Sequence, residues 1–198
     1  MIVLPNGWFV KLLALIVAVS LLAGSLSPTE KAPDEDESLF YVQDAAHVLK
    51  TDAVLEILEN GAALDDSCGS QIVVVTTRDL KGLSCRDYAV QLFNELGVGD
   101  KDKNNGFLLL MYIVDTNAEC DYFLATGTGA EEFVSNSLAD ELLYTYLEPD
   151  FAKDEYSAGT RKLYRALFET VRNRYGLNLA FVDAEAILRG YTVPDRDS

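Results

Sequence analysis

The oxygen-bearing side chains best suited to chemistry fall in two turns. Gly99-Asp-Lys-Asp-Lys-Asn-Asn-Gly106 carries Asp100, Asp102, Asn104 and Asn105, and Gly127-Thr-Gly-Ala-Glu-Glu132 carries Glu131 and Glu132. If these turns meet, with Asp44 and Asp140 beside them, they form an oxygen-rich cluster in which Gly127 and Gly129 permit close backbone approach. Such a cluster suits a hard divalent cation. Calcium accepts about six to eight oxygens of mixed type in loose geometry, whereas magnesium or manganese needs stricter geometry or bound water. The same residues also read as plain turn chemistry, since Asp and Asn tolerate turn dihedrals and Lys101 and Lys103 can screen the carboxylates. An EF-hand is excluded: counting from Asp100, the glycine falls one place late and Met111 stands where the bidentate Glu belongs.

Other catalytic kits are missing. None of Cys68, Cys85 and Cys120 is followed by Arg six residues on, so there is no cysteine-phosphatase loop. A single histidine, His47, cannot supply both a nucleophile and a second histidine, and one His with three Cys excludes His-rich and Cys-rich zinc sites. Asp34-Glu-Asp-Glu37 imitates an aspartyl-phosphatase signature but sits in a stretch that reads as solvated linker. The enzymatic chemistry left is a carboxylate-bound metal activating water.

The elements that position these turns are legible from hydrophobic period. Apolar residues at spacings of three and four from about Thr51, with Thr51 as N-cap and Gly69 past the far end, predict a helix. Gln71–Thr77 is β-branched and almost continuously apolar, which predicts a central strand covered on both faces. Ser84 caps a second helix that Gly97 ends. Strands over 107–114 and 121–126 flank a turn at 115–118, followed by helices over 137–147 and about 157–175 and a weak helix after Ala180. The first long strand reaches the second through a helix, so those two are parallel and the third is antiparallel. This brings the entrance of the second strand and the exit of the third, hence both turns, to one sheet end. The expected fold class is α/β, a compact α/β/α sandwich around a small mixed β-sheet.

The 198 residues, 49% hydrophobic, suffice for one such domain with short accessory segments. The 32 acidic against 16 basic side chains, a net charge of −16, exclude general phosphate-backbone binding to nucleic acid. Residues 1–26 read as a signal peptide or an N-terminal membrane anchor: Lys11 precedes an apolar run, Leu12–Gly24, whose helical length of about 20 Å fits an export signal better than a full span. Residues 27–38, with two prolines and four consecutive acids, read as an acidic linker. The domain then occupies 39–176, with 177–198 a C-terminal tail whose end should fray. An exported, membrane-tethered or extracytoplasmic protein follows, and in that setting a Cys85–Cys120 disulfide is geometrically possible. Three reduced cysteines used as small apolar residues is the other reading.

Several short motifs in order resemble the TPM domain family. They are Val42-Gln-Asp44 with His47-Val-Leu49, Gln71-Ile-Val-Val-Val75, Phe93-x-x-x-Gly97-x-Gly99, Asn104-Asn-Gly-Phe-Leu-Leu-Leu110, Gly127-x-Gly129-x-Glu131, and Pro149-x-Phe151 with Tyr156-x-x-Gly159. The resemblance covers about residues 40–175. It implies a compact α/β sandwich, export or membrane tethering, and a divalent-ion site at an acidic cluster. Carried over residue by residue, it singles out Asp44, Asp102, Asn105, Glu131 and Asp140. A plant thylakoid-lumen member is described as an acid phosphatase linked to photosystem repair. The second membrane helix and Gly-rich tail of many bacterial relatives have no counterpart here, which puts roles dependent on that tail in doubt.

Two functions are therefore expected. The first is a divalent-cation-binding module, calcium by preference and magnesium or manganese otherwise, that supports the assembly or maintenance of membrane protein complexes. The second is a weak metal-dependent phosphomonoesterase. For the module, the last long helix offers Arg161, Lys162, Arg165, Arg172 and Arg174 against Glu169, a stripe suited to a membrane-protein or lipid-surface partner. The same stripe also reads as a solvated face with partners among nearby acids.

Overall fold

A computed structural model describes residues 40–114 and 122–189 of the chain. The amino-terminal segment 1–26, the linker 27–38, Cys120 and the final residues lie outside the described residues. Four strands form one mixed sheet in the order β1-β2-β3-β4: β1 (Val42–Asp44), β2 (Ile72–Thr77), β3 (Phe107–Tyr112) and β4 (Tyr122–Thr126). The first three are parallel, and β4 runs antiparallel to β3 with Phe107 opposite Thr126. Every residue of β2 is buried, as its unbroken apolar run requires. The sequence pattern did not mark β1, because three residues are too few to show a period.

Six α-helices lie among the described residues. They are α1 (Thr51–Cys68), α2 (Cys85–Leu96), α3 (Asn136–Leu142), α4 (Glu148–Phe151), α5 (Tyr156–Tyr175) and α6 (Ala184–Arg189). The predicted caps hold for α2: the Ser84 hydroxyl accepts from the Asp87 N–H at 3.1 Å, and Gly97 is left-handed. Gly69 ends α1 in the same way. Thr51 does not cap α1. Lys50 holds that position, and its N–H donates to Ser157 Oγ at 2.7 Å, a tie to α5 that local sequence cannot reveal. The helix expected over 137–147 is divided: Leu143–Leu147 is wound as a π-helical turn between α3 and α4.

Strand alternation assigns the two helical layers. Leu110 pairs with Phe123, over whose ring the Arg86 guanidinium of α2 lies at 5.3 Å. Met111 pairs with Tyr122 on the other face, where Thr160 of α5 donates to the Met111 sulfur and the Tyr122 hydroxyl donates to Glu148 at 2.5 Å. Helix α1 shares that face. The buried Tyr164 hydroxyl of α5 donates to the Ile57 carbonyl, and a Cβ on Gly61 would meet the Tyr164 oxygen at 3.0 Å. The core runs through both layers and includes Ile57, Leu64, Val73, Leu108, Leu110, Leu163 and Phe168. Among the described residues no helix is long and apolar enough to cross a membrane.

Glu59 on α1 has no hydrogen-bond or ionic partner among the described residues, and burial pushes its carboxyl up to about 7 from 4.5. Between those two pH values the folded chain holds a proton that the unfolded chain releases. Stability therefore falls as pH rises from about 4.5 to 7 and stays lowered above that. Partial solvent access limits the loss to on the order of 1–2 kcal/mol. Glu59→Gln is expected to raise the urea midpoint at pH 8 and to leave it unchanged at pH 4.

Candidate functional site

The two acidic turns do meet. Gly129 N–H and Ala130 N–H both donate to the Asn104 carbonyl, at 3.0 and 3.2 Å, and Gly127 N–H donates to the Gly106 carbonyl at 2.9 Å. The glycines make this possible: a Cβ at Gly127 would lie 2.2 Å from the Asn104 oxygen, and one at Gly129 would lie 1.8 Å from the Lys103 oxygen. The contact sits where β3 begins and β4 ends, at the sheet end reached by the carboxyl termini of α1 and α5.

Asn105 is the hub beneath it. It is fully buried, its Oδ1 accepts from the Asp100 N–H at 3.1 Å, and its Nδ2 donates to the Cys68 carbonyl and to the Tyr175 hydroxyl at 3.3 and 3.0 Å. Ser70 Oγ donates to the Asn105 carbonyl at 2.7 Å. Gln71 adds a second tie, accepting the Gly99 N–H on Oε1 at 2.7 Å and donating from Nε2 to Asp65 at 2.8 Å. The Asp100 carboxylate is turned onto its own loop, where the N–H groups of Lys103 and Asp102 hold its carboxyl below the usual range. The Lys103 ammonium donates to the Cys68 carbonyl at 2.7 Å. Burial pushes the Cys68 thiol up.

The five proposed ligands therefore have different environments. Asp102 and Glu131 are exposed, each lies within two residues of the Lys103–Gly129 contact, and neither carboxylate has a partner among the described residues. Asn105 belongs to the same loop, but its side chain is buried and engaged with Asp100, Cys68 and Tyr175. Asp140 is exposed on α3, outside the two turns. Asp44 must be corrected: it pairs with Thr76, whereas the turns lie beyond Ile72, so about 13 Å of strand separates it from them. Its carboxylate accepts from the N–H groups of Val48 and Leu49, at 3.1 and 2.9 Å, and from the Thr76 hydroxyl at 2.5 Å. Asp44 thus fixes the loop leaving β1, where His47 is left-handed at φ 56. Asp44→Ala is expected to cost about 2 kcal/mol in chemical denaturation and to leave any cation affinity of the far rim unchanged.

Among the described residues no three His, Cys, Asp or Glu side chains stand close enough to cage a metal. Asp102 and Glu131 supply two carboxylates without partners among the described residues, fewer than the roughly six to eight oxygens that calcium takes. The basic stripe on α5 is internally matched. Arg161 pairs with Glu56 and Asp52, Lys162 with Asp150, Arg172 with Glu169 and Arg174 with Glu132, while Arg165 lies 4.9 Å over the Phe181 ring. Sequence reasoning missed Ser70, Asp65 and Tyr175 as supports of the rim. Tyr175 is 70 positions from its partner Asn105, and no local pattern joins them.

Taken together, these features define a three-layer α/β domain in which two loops interlock at one end of a mixed sheet. The sequence profile of the TPM domain matches residues 42–170, and the chain belongs to the TPM domain family. The solution structure of the N-terminal domain of a protein from P. gingivalis superposes with a TM-score of 0.60 at 20% identity, covering 73% of this chain and 89% of that one. The N-terminal domain of the cg2496 protein from Corynebacterium glutamicum does so with a TM-score of 0.50 at 12% identity, covering 75% and 88%. At these identities the likeness concerns the fold alone. Among curated proteins none matches.

Proposed function

We propose that this TPM domain is an extracytoplasmic binding module that docks onto membrane protein complexes through a divalent cation, calcium by preference and magnesium or manganese otherwise. One observation carries the reading: the backbone interlock of the two turns holds Asp102 and Glu131 at one rim, with both carboxylates free. Calcium takes about six to eight oxygens, so two carboxylates leave most positions for water, carbonyls or a partner's acidic groups. An ion held this way bridges two surfaces more readily than it organises one. Export rests on the composition of residues 1–26, which is that of a signal or an anchor.

Calorimetric titration of calcium and of manganese into the full chain tests this. The expected result is weak binding that Asp102→Ala and Glu131→Ala each reduce by about fivefold or more, with Asp140→Asn unchanged. Hydrolysis of a generic phosphomonoester, abolished by chelation and by Asp102→Ala, would replace the docking role with the phosphatase role. Absence of cation binding in the wild type would overturn both.

A further inference from the structure

Helices α1 and α5 form a seam that the polypeptide fills with its own later residues. Glu56 and Asn60 are one turn apart on α1, and Arg161, Arg165 and Phe168 lie along the facing stripe of α5. Residues 181–187 run along this seam, beyond the last residue of the TPM match. Asn60, 1% exposed, pairs with both backbone groups of one residue: its Nδ2 donates to the Val182 carbonyl at 2.9 Å, and its Oδ1 accepts the Val182 N–H at 2.8 Å. Glu56, 3% exposed, accepts the Ala184 N–H at 2.9 Å. The Phe181 ring packs edge-on against Phe168 at 5.3 Å and under the Arg165 guanidinium, while Ala184 and Ile187 are buried.

These are the features of a peptide site. Two buried polar side chains read backbone groups, an aromatic slot takes one side chain, and small and aliphatic positions follow at three-residue intervals. The polar groups also keep partners when the segment is lifted away. Glu56 retains the two-point ion pair with Arg161, and Asn60 Nδ2 retains the Glu56 carbonyl at 2.7 Å, so only Asn60 Oδ1 loses its donor. On the other side the segment follows Gly176, left-handed and exposed, and residues 177–183 have no regular structure.

We propose that the α1–α5 seam is a binding site for a peptide carrying Phe-Val-x-Ala-x-x-Ile chemistry, occupied in cis by residues 181–187, and that a partner peptide of this pattern enters when the cis segment opens. Cis occupancy lowers the apparent affinity for a competitor by the fraction of time the seam is empty. The site lies on the helical layer, apart from the Asp102–Glu131 rim, and does not depend on cation binding there.

The test uses the full chain and a fluorescent synthetic peptide spanning Asn178–Arg189. Wild type should bind it weakly, and Phe181→Ser, which loosens the cis segment, should bind it at least about tenfold more tightly while circular dichroism stays native. Equal affinity for the folded variant and wild type, or no binding to either, would overturn the proposal. A second measurement requires no variant. By hydrogen exchange the Val182 and Ala184 amides of wild type should exchange at least about 100-fold faster than those of Leu163 and Leu167 in α5. Exchange of all four at one rate would mean that the segment opens only with the whole domain, and the proposal would fail.

Discussion

Replacing Arg161 by methionine is expected to lower the unfolding free energy by about 3–5 kcal/mol. The guanidinium donates from Nε and an Nη to both oxygens of Glu56, at 2.8 and 2.5 Å, and from its other Nη to Asp52 at 2.8 Å. Glu56 is the sensitive partner, because its side chain is 4% exposed against 36% for Arg161. Methionine keeps the helix propensity of α5 and the aliphatic stem, so the loss isolates the charge. Left without its cation, the Glu56 carboxylate would retain only the Ala184 N–H. The variant should melt about 10 °C lower at pH 7. Adding Glu56→Gln to Arg161→Met should recover a large part of the loss, and a pair of thermal melts against each single variant checks it.

The second large effect is expected at Asn105. Asn105→Ala removes one accepted and two donated hydrogen bonds at a fully buried position and opens a small void, together costing about 3 kcal/mol. The consequence is local as well as global. Asp100 loses the acceptor for its N–H, and the turn that carries Asp102 loses its tie to Tyr175. Cys68, whose carbonyl Asn105 holds, should then react faster with a thiol reagent, mapped by mass spectrometry of the labelled peptide. Asn105→Asp keeps the shape but sets a carboxylate against the Cys68 carbonyl, so at pH 7 it should be at least as damaging as alanine. As pH falls through the raised folded pKa the aspartic acid regains one donor, and part of the stability should return.

These positions show what the sequence could and could not reveal. The long strands, the α2 caps and the meeting of the two turns follow from rules of short range: β-branched runs, Ser84 and Gly97, and the sense of a hairpin. Asp44 shows the limit. An aspartate beside a short apolar stretch looks like a free ligand until β1 is recognised as a strand, and three residues carry no period by which to recognise it. Asn105 was legible as an oxygen donor, but whether it faces solvent or Tyr175 depends on a partner 70 positions away. The stripe on α5 reads in sequence either as a docking face or as a solvated face paired with nearby acids, and the acids that pair with it, Glu56, Asp52 and Asp150, come from elements that only the tertiary fold brings near. In each case the motif residue was visible and its partner was not. Several family motifs accordingly prove to be fastenings: Asp44 holds a loop, Gln71 and Asn105 hold the rim, and Gly127 and Gly129 admit its backbone contact.

We propose that this fastened rim presents Asp102 and Glu131 to a divalent cation. Adding substoichiometric manganese to the ¹⁵N-labelled protein and recording which amide signals broaden tests it directly. Broadening centred on Asp102, Lys103 and Glu131, with Val48 and Leu49 sharp, is the predicted result. Broadening centred on Val48 and Leu49, or none above that of a general acidic surface, would contradict it.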